Sequence, residues 1–281
     1  MTEAAEQTRA GGRRGDPKFV TALSRGLALL AAFRSGDGAL GNTELARRTR
    51  LPKPTVTRLT YTLCKLGYLL QDGPGGPYRL GAEVLTLGYG ALAATDIRER
   101  AARELERLCE SDNPNVAAAL GERQGLSVIY LVTHRKPGSV ALAFHPGGRV
   151  PLFHSAIGRA SLMALPADRQ EALLEDAQRA AADAEAQGAA PDAEARARLA
   201  HGLARARADH AAHGWCGSFG EWRKEINGIA APVPGAEGAP GYAVNVGGFS
   251  FLNPADELIA RHAPRLAETV RALALSPAAD D

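Results

Sequence analysis

The stretch from Asn42 to Gly81 constrains this chain more than any other, because its punctuation permits few arrangements. Asn42 reads as an N-cap with Glu44 in the first turn, where the helix dipole favours an acid, and this short amphipathic helix ends near Arg50. Leu51-Pro52-Lys53-Pro54 then makes a tight connection, with Pro54 at the first helical position, where its missing N–H costs nothing. The next helix runs to Leu66, and Gly67 supplies the left-handed residue that ends many helices. Tyr68-Leu69-Leu70 and Tyr78-Arg79-Leu80 flank a Gly/Pro-rich loop, which predicts a two-stranded hairpin. A preceding helix is read from Phe19, Val20, Leu23, Leu27, Leu30 and Ala31, closed by Ser35-Gly36-Asp37-Gly38. Helix, helix, turn, helix, hairpin is the order of a winged helix-turn-helix.

On a wheel of the third helix, Val56, Leu59, Leu63 and Leu66 share the side that must pack on the first two helices. The opposite side carries Arg58, Tyr61, Thr62 and Lys65. Lys53, Thr55 and Thr57 sit at the amino end, where a recognition helix approaches the major groove and backbone N–H groups can meet phosphate. Arg58 is the first candidate for base reading, since a guanidinium can donate two hydrogen bonds to guanine. Thr43 at the start of the second helix and Arg79 on the wing complete the candidate DNA contacts. The alternative, a merely solvated helix face and an idle hairpin, has to account for the charge. Residues 1–80 hold 13 Lys and Arg against 6 Asp and Glu, while the whole chain is only +2. Positive charge gathered in one small domain is the footprint of a nucleic-acid partner.

A length of 281 residues favours two domains. We read residues 1–17 as a disordered leader, 18–80 as the DNA-binding domain, 81–96 as a linker helix and 97–281 as a larger α+β domain. In that second part, strands are predicted at Val116–Leu120, Leu126–Val132, Val140–Phe144, Trp215–Phe219, Ile229–Val233 and Tyr242–Val246. Helices are predicted at about 156–165, through an Ala/Arg/Glu-rich region interrupted near Gly188 and Pro191, and at about 254–275, giving an antiparallel sheet flanked by helices. There is no run of about 18 apolar residues and no signal core, which predicts a cytoplasmic protein without a membrane partner. Cys64, Cys109 and Cys216 are far apart, so no disulfide framework or zinc knuckle is expected, and no cofactor or metal is implied. There is no GxSxG, P-loop or HExxH, which argues against an enzyme. His210 and His213 could share a helix face near His201, but no carboxylate or cysteine cluster accompanies them. His145 and His154 are of interest only by location.

Ordered motifs across both halves resemble the IclR family of bacterial regulators. In the first half these are Ala22-Leu23-Ser24-Arg25-Gly26-Leu27, Glu44-Leu45-Ala46, Thr55-Val56-Thr57-Arg58-Leu59, Leu66-Gly67-Tyr68 and Tyr78-Arg79-Leu80-Gly81. In the second they are Arg149-Val150-Pro151-Leu152, Ser155 to Ala160, His213-Gly214-Trp215, Ile229-Ala230-Ala231-Pro232 and Gly247-Gly248. The resemblance implies a GAF-like effector-binding domain, a homodimer through the N-terminal module or a homotetramer of two such dimers, and binding to a palindromic operator in promoter DNA. It also implies a small-molecule effector, typically an organic acid, aromatic acids included, controlling a catabolic operon. Carried over by position, the pocket involves Ala156, Ile157, Ser218, Gly228, Asn245 and Gly247. Members that bind small keto acids offer an acid, a cysteine and two serines where this chain has Ser218, Gly228, Asn245 and Gly247, so a different and larger effector is implied. Trp222 and Arg223 are further pocket candidates, an arginine beside a ring that could clamp an aromatic carboxylate. Equally, Arg223 could pair with Glu221 or Glu225 on the surface. A C-terminal domain that only oligomerises is the competing reading of the second half.

Overall fold

The computed structural model describes residues 17–34, 36–93, 97–186, 193–234 and 241–274. The expected leader and the break around Gly188 and Pro191 fall almost wholly outside them. The chain divides into two compact units, one ending at Thr95 and the other beginning at Asp96.

In the first unit, α1 (Thr21–Ala31), α2 (Asn42–Thr49) and α3 (Lys53–Lys65) bury Leu29, Leu45 and Val56, and β1 (Leu69–Gln71) and β2 (Tyr78–Leu80) form the hairpin. α4 (Glu83–Ala93) follows. Leu40 exchanges backbone hydrogen bonds with Tyr78 at 2.7 and 2.8 Å, fastening the wing to the α1–α2 connection. Arg50, at φ 55°, turns the chain out of α2 through the left-handed region that few non-glycine residues adopt. α3 ends as expected: Gly67 has φ +77°, and the Tyr68 N–H donates to the Leu63 carbonyl at 2.9 Å, a Schellman closure. Gly81 explains why two separate sequence motifs contain glycine. A Cβ there would lie 1.9 Å from the Gly67 carbonyl oxygen, so the strand end and helix end meet backbone to backbone.

Two details of the expected packing are corrected. Asn42 is the first helical residue, not the cap; Gly41 is the N-cap, and the Asn42 amide instead donates to the Thr57 hydroxyl at 3.3 Å. Leu66 is 58% exposed, and its place inside is taken by Thr60, which satisfies its hydroxyl on the Thr57 carbonyl at 3.1 Å. The helix ends at Lys65, so Leu66 no longer follows the helical wheel.

The second unit is a six-stranded antiparallel sheet in the order β5-β4-β3-β8-β7-β6. Its strands are β3 (Ala117–Gln124), β4 (Ser127–Arg135), β5 (Arg149–Pro151), β6 (Cys216–Phe219), β7 (Ile226–Val233) and β8 (Tyr242–Phe249). Period-2 alternation sorts their side chains into two cores. Ala118, Leu120, Ile229, Ala231, Val244 and Val246 pack with α5 (Ile97–Cys109) and α9 (Ala255–Ala274). Ala119, Val128, Tyr130, Ala230 and Ala243 face α6 (Ala156–Met163), α7 (Ala167–Ala186) and α8 (Ala193–His213). Helices thus cover both faces of the sheet.

Val140–Phe144 is not a strand. Arg149–Pro151 pairs with only the first residues of β4, and in the 140–144 segment the Val140 N–H is taken by the Asn115 side chain at 3.0 Å while the Phe144 N–H turns back to Leu142 at 3.0 Å. A strand-like composition whose N–H groups are bonded elsewhere remains a loop.

Candidate functional site

The expected DNA face is exposed on one side of α3. Lys53, Thr57, Arg58, Tyr61, Thr62 and Lys65 all reach solvent, Thr55 is half-buried, and Thr43 is exposed at the start of α2. Thr57 and Thr62 each donate to the carbonyl four residues back, Lys53 and Arg58, at 3.1 Å, so toward a partner their oxygens are chiefly acceptors. Lys65 lies 5.6 Å over the Tyr61 ring.

Not all the positive charge here is available to a partner. Arg48 hydrogen-bonds Glu44, Asp37 and the Ala32 carbonyl, and Arg47 also pairs with Glu44. Those two guanidiniums hold the Glu44 carboxyl down at about 2, and Arg48 holds Asp37 below the ordinary range. They fasten α2 to the end of α1. Arg79 on the wing lies 3.6 Å from Asp72, which partly cancels its charge. Arg58 and Lys53 have no ion-pair partner among the described residues, which leaves both cations to phosphate or base edges.

Seven of the eight expected effector residues line one cavity. Ala156, Ile157, Ser218, Trp222, Gly228, Asn245 and Gly247 meet there, joined by Tyr130, Phe144, Ser155, Ile226 and Asn227, which the sequence reading missed. Strand register brings the distant positions together. Ser218 is opposite Gly228, Gly228 is opposite Gly247, and Asn245 lies in the neighbouring row between Ala230 and Ala119. A row of small side chains across three strands leaves a hollow, and the amino end of α6 closes over it. Ser155 caps that helix, accepting from the Gly158 N–H at 3.1 Å.

The two glycines differ in kind. A Cβ on Gly247 would lie 2.6 Å from the Asn227 carbonyl, so the backbone requires glycine there. A Cβ on Gly228 meets nothing closer than 3.5 Å and points toward Ala156, so glycine here sets room rather than backbone path. Even so, the cavity measures only about 20 Å³, enough for a water molecule. Its lining includes the Tyr130 and Phe144 rings, 4.9 Å apart, with Trp222 and Ile226. An organic acid enters only if some of these side chains move.

The cavity's polar groups are unevenly satisfied. The Ser218 hydroxyl donates to the His154 carbonyl at 2.7 Å. The Tyr130 phenol faces the Asn245 amide, and burial pushes its pKa up. Asn245 is only 5% exposed, yet its Oδ1 has no hydrogen-bond partner. A buried acceptor without a donor costs about 1–3 kcal/mol, which a ligand hydroxyl or N–H would recover.

Arg223 is not among the lining residues; its guanidinium sits 5.0 Å over the Trp222 ring. The alternative pairing with Glu221 is not found either, because Glu221 belongs to Arg159. Arg159, 1% exposed, donates to the Phe153 and Gly217 carbonyls at 3.0 and 2.7 Å and makes a two-pronged contact with Glu221. It ties the cavity helix to the turn that carries Trp222. An arginine inside an apolar helix, four residues after a serine cap, was the sequence signal for this role. His213 stacks on Trp215 at 5.1 Å, and the described residues contain no group of three or more His, Cys, Asp or Glu placed to hold a metal ion. No described helix is long and apolar enough to cross a membrane.

Comparison with known proteins covers both units. A family model for the IclR helix-turn-helix domain matches residues 22–73, and one for the bacterial transcriptional regulator IclR C-terminal region matches residues 89–278. The Pca regulon regulatory protein of Pseudomonas putida is 32% identical over 235 residues, 83% of this chain and 75% of its own length. Three other curated relatives align over 167, 157 and 155 residues, and the chain spans about three fifths of their length. The crystal structure of an IclR family transcriptional regulator from Brucella abortus has 36% identity and a TM-score of 0.78, covering 95% of this chain and 97% of that one. An IclR homologue from Microbacterium hydrocarbonoxydans, complexed with 4-hydroxybenzoate, shares the fold at 20% identity and TM-score 0.64, covering 90% of this chain and 97% of that one.

Proposed function

The chain belongs to the IclR family of DNA-binding transcription regulators, and from that premise we propose that a small aromatic acid controls it and that it governs a catabolic operon. The observation that carries the effector reading is the cavity under α6, with its buried, unpartnered Asn245 acceptor. Aromatic walls at Tyr130, Phe144 and Trp222 suit a ring, and the orphan oxygen suits a ligand hydroxyl. A relative that regulates a Pca regulon and a homologue of like fold holding 4-hydroxybenzoate support the same class. In this reading α3 enters the major groove, Arg58 reads a base and Lys53, Thr43, Thr55, Thr57, Tyr61, Thr62 and Arg79 position the helix and wing.

The protein acts as a dimer or a pair of dimers on a palindromic promoter site. Val20, Leu23 and Leu27 on α1 and its approach, with Leu85 and Leu87 on α4, are each more than half exposed, apolar side chains that a second copy would cover. Ligand entry biases two arrangements of the DNA-binding units through the 81–96 linker, which requires different affinity for each.

Thermal denaturation against a panel of hydroxylated and unsubstituted aromatic acids tests the effector reading, since a ligand of the folded state raises the melting temperature with concentration. Hydroxybenzoates should raise it more than benzoate. The small size of the cavity favours one other reading, a C-terminal domain that only oligomerises. No shift with any member of the panel would establish that reading instead.

A further inference from the structure

A second hollow, sharing no lining residue with the cavity under α6, lies between the end of β3 and the first turns of α7. It measures about 100 Å³ and is lined by Arg123, Leu165, Arg169, Ala172, Leu173 and Asp176. Two arginines therefore face one cleft. Neither has an ion-pair partner among the described residues, and the Arg123 Nε is buried with no hydrogen bond. Burial lowers the Arg123 pKa, and the Arg169 charge lowers it further, with Glu122 opposing. Two like charges held together over an unsatisfied donor, in a dented surface, is an arrangement that an anion would relieve.

We propose that this cleft is a second ligand site, taking the carboxylate of a short aliphatic acid. The guanidiniums grip the oxyanion, as their forked donors suit a carboxylate or phosphate. The rest of the lining decides between those. Leu165, Ala172 and Leu173 form an apolar wall that inorganic phosphate would leave unused but a short alkyl chain covers. Its volume of about 100 Å³ takes a carboxylate and a few carbons without displacing the lining. Asp176 also lines the cleft, its carboxylate 3.0 Å from Arg179 on the same helix. Its negative charge disfavours a second carboxylate on the ligand, so the site selects monocarboxylates over dicarboxylates.

The test is calorimetric titration of the full chain with butyrate, succinate and inorganic phosphate in turn, repeated on Arg123→Gln and Arg169→Gln. Butyrate should bind more tightly than either of the others, and each substitution should weaken it at least about tenfold, as expected for loss of a charge-assisted hydrogen bond. Arg123→Gln removes one of the two repelling charges, so without ligand its melting temperature should be no lower than that of the parent, which also reports that the variant folds. Arg123→Lys keeps the charge but loses the fork and should fall between. Butyrate binding that survives both glutamine substitutions, phosphate binding as tight as butyrate, or no heat with any of the three at tens of millimolar would each overturn the assignment.

Discussion

Removing the Glu221 carboxylate tests whether the buried ion pair beside the cavity under α6 organises it. In Glu221→Ala, Arg159 keeps its bonds to the Phe153 and Gly217 carbonyls but loses its counter-charge while only 1% exposed. Breaking a fully buried pair costs about 3–5 kcal/mol. Glu221 is itself 34% exposed at its side chain, so water softens the loss, and we expect about 2–3 kcal/mol. For a unit of this size each kcal/mol moves the melting temperature by about 2–4 °C, which predicts a fall of about 4–12 °C.

The pH dependence supplies an internal control. Burial by itself would raise the Glu221 pKa, but the Arg159 hydrogen bond and charge outweigh it, and the net direction is down from 4.5. A carboxyl with a depressed folded pKa stabilises fully above its unfolded value and loses that contribution as pH falls through the folded one. The gap between parent and variant should therefore be full at pH 7 and shrink below about pH 4.5. Circular dichroism melts of both proteins from about pH 2.5 to 7 measure it. Melting temperatures within a degree of each other at pH 7, or a gap independent of pH, would refute the idea that this pair holds α6 to the Trp222 turn.

Arg58→Ala should leave the protein folded but cost about 1–3 kcal/mol of sequence discrimination; unchanged operator preference in a gel-shift competition would exclude base reading by Arg58. DNA affinity should fall steeply between 50 and 200 mM salt, roughly a factor of ten or more if a few phosphates are neutralised, and a flat response in fluorescence anisotropy would contradict the charge argument. Gly81→Ala places a methyl 1.9 Å from the Gly67 carbonyl and should abolish DNA binding by displacing the wing, while the melting of the second unit stays put; full affinity would show that the two backbones can part. Gly228→Ala, whose methyl fits within ordinary contact, should fold normally yet weaken any effector bound against Ala156.

The N-terminal unit was legible from sequence because its information is local. Caps, prolines, Gly67 and the apolar stripe act within a few residues, and α3 needs little more than Val56 and its neighbours to choose which side faces out. The misreadings there, Asn42 and Leu66, fall at helix ends, where one residue's shift in the last turn changes its facing. Six of the expected effector residues came from resemblance and Trp222 from its chemistry beside Arg223, while the cavity's remaining lining did not come at all. Tyr130, Phe144, Ile226 and Asn227 sit on strands or loops whose periodicity says only that they are apolar or polar.

What the sequence alone determined is the order of elements in the N-terminal unit and the charged, exposed face of α3, since each depends on neighbours in the chain. What only the tertiary structure decided is which charges remain free, which glycines are required and how residues more than a hundred positions apart share a cavity. Arg48 and Arg159 read alike as arginines on helices, yet one is consumed by Glu44 and Asp37 and the other by Glu221. Gly228 and Gly247 read alike as glycines on strands, yet only the second lies against a backbone that excludes any side chain. In both cases the deciding atoms belong to strands and helices brought together by folding, and distance in space is not written in the spacing along the chain.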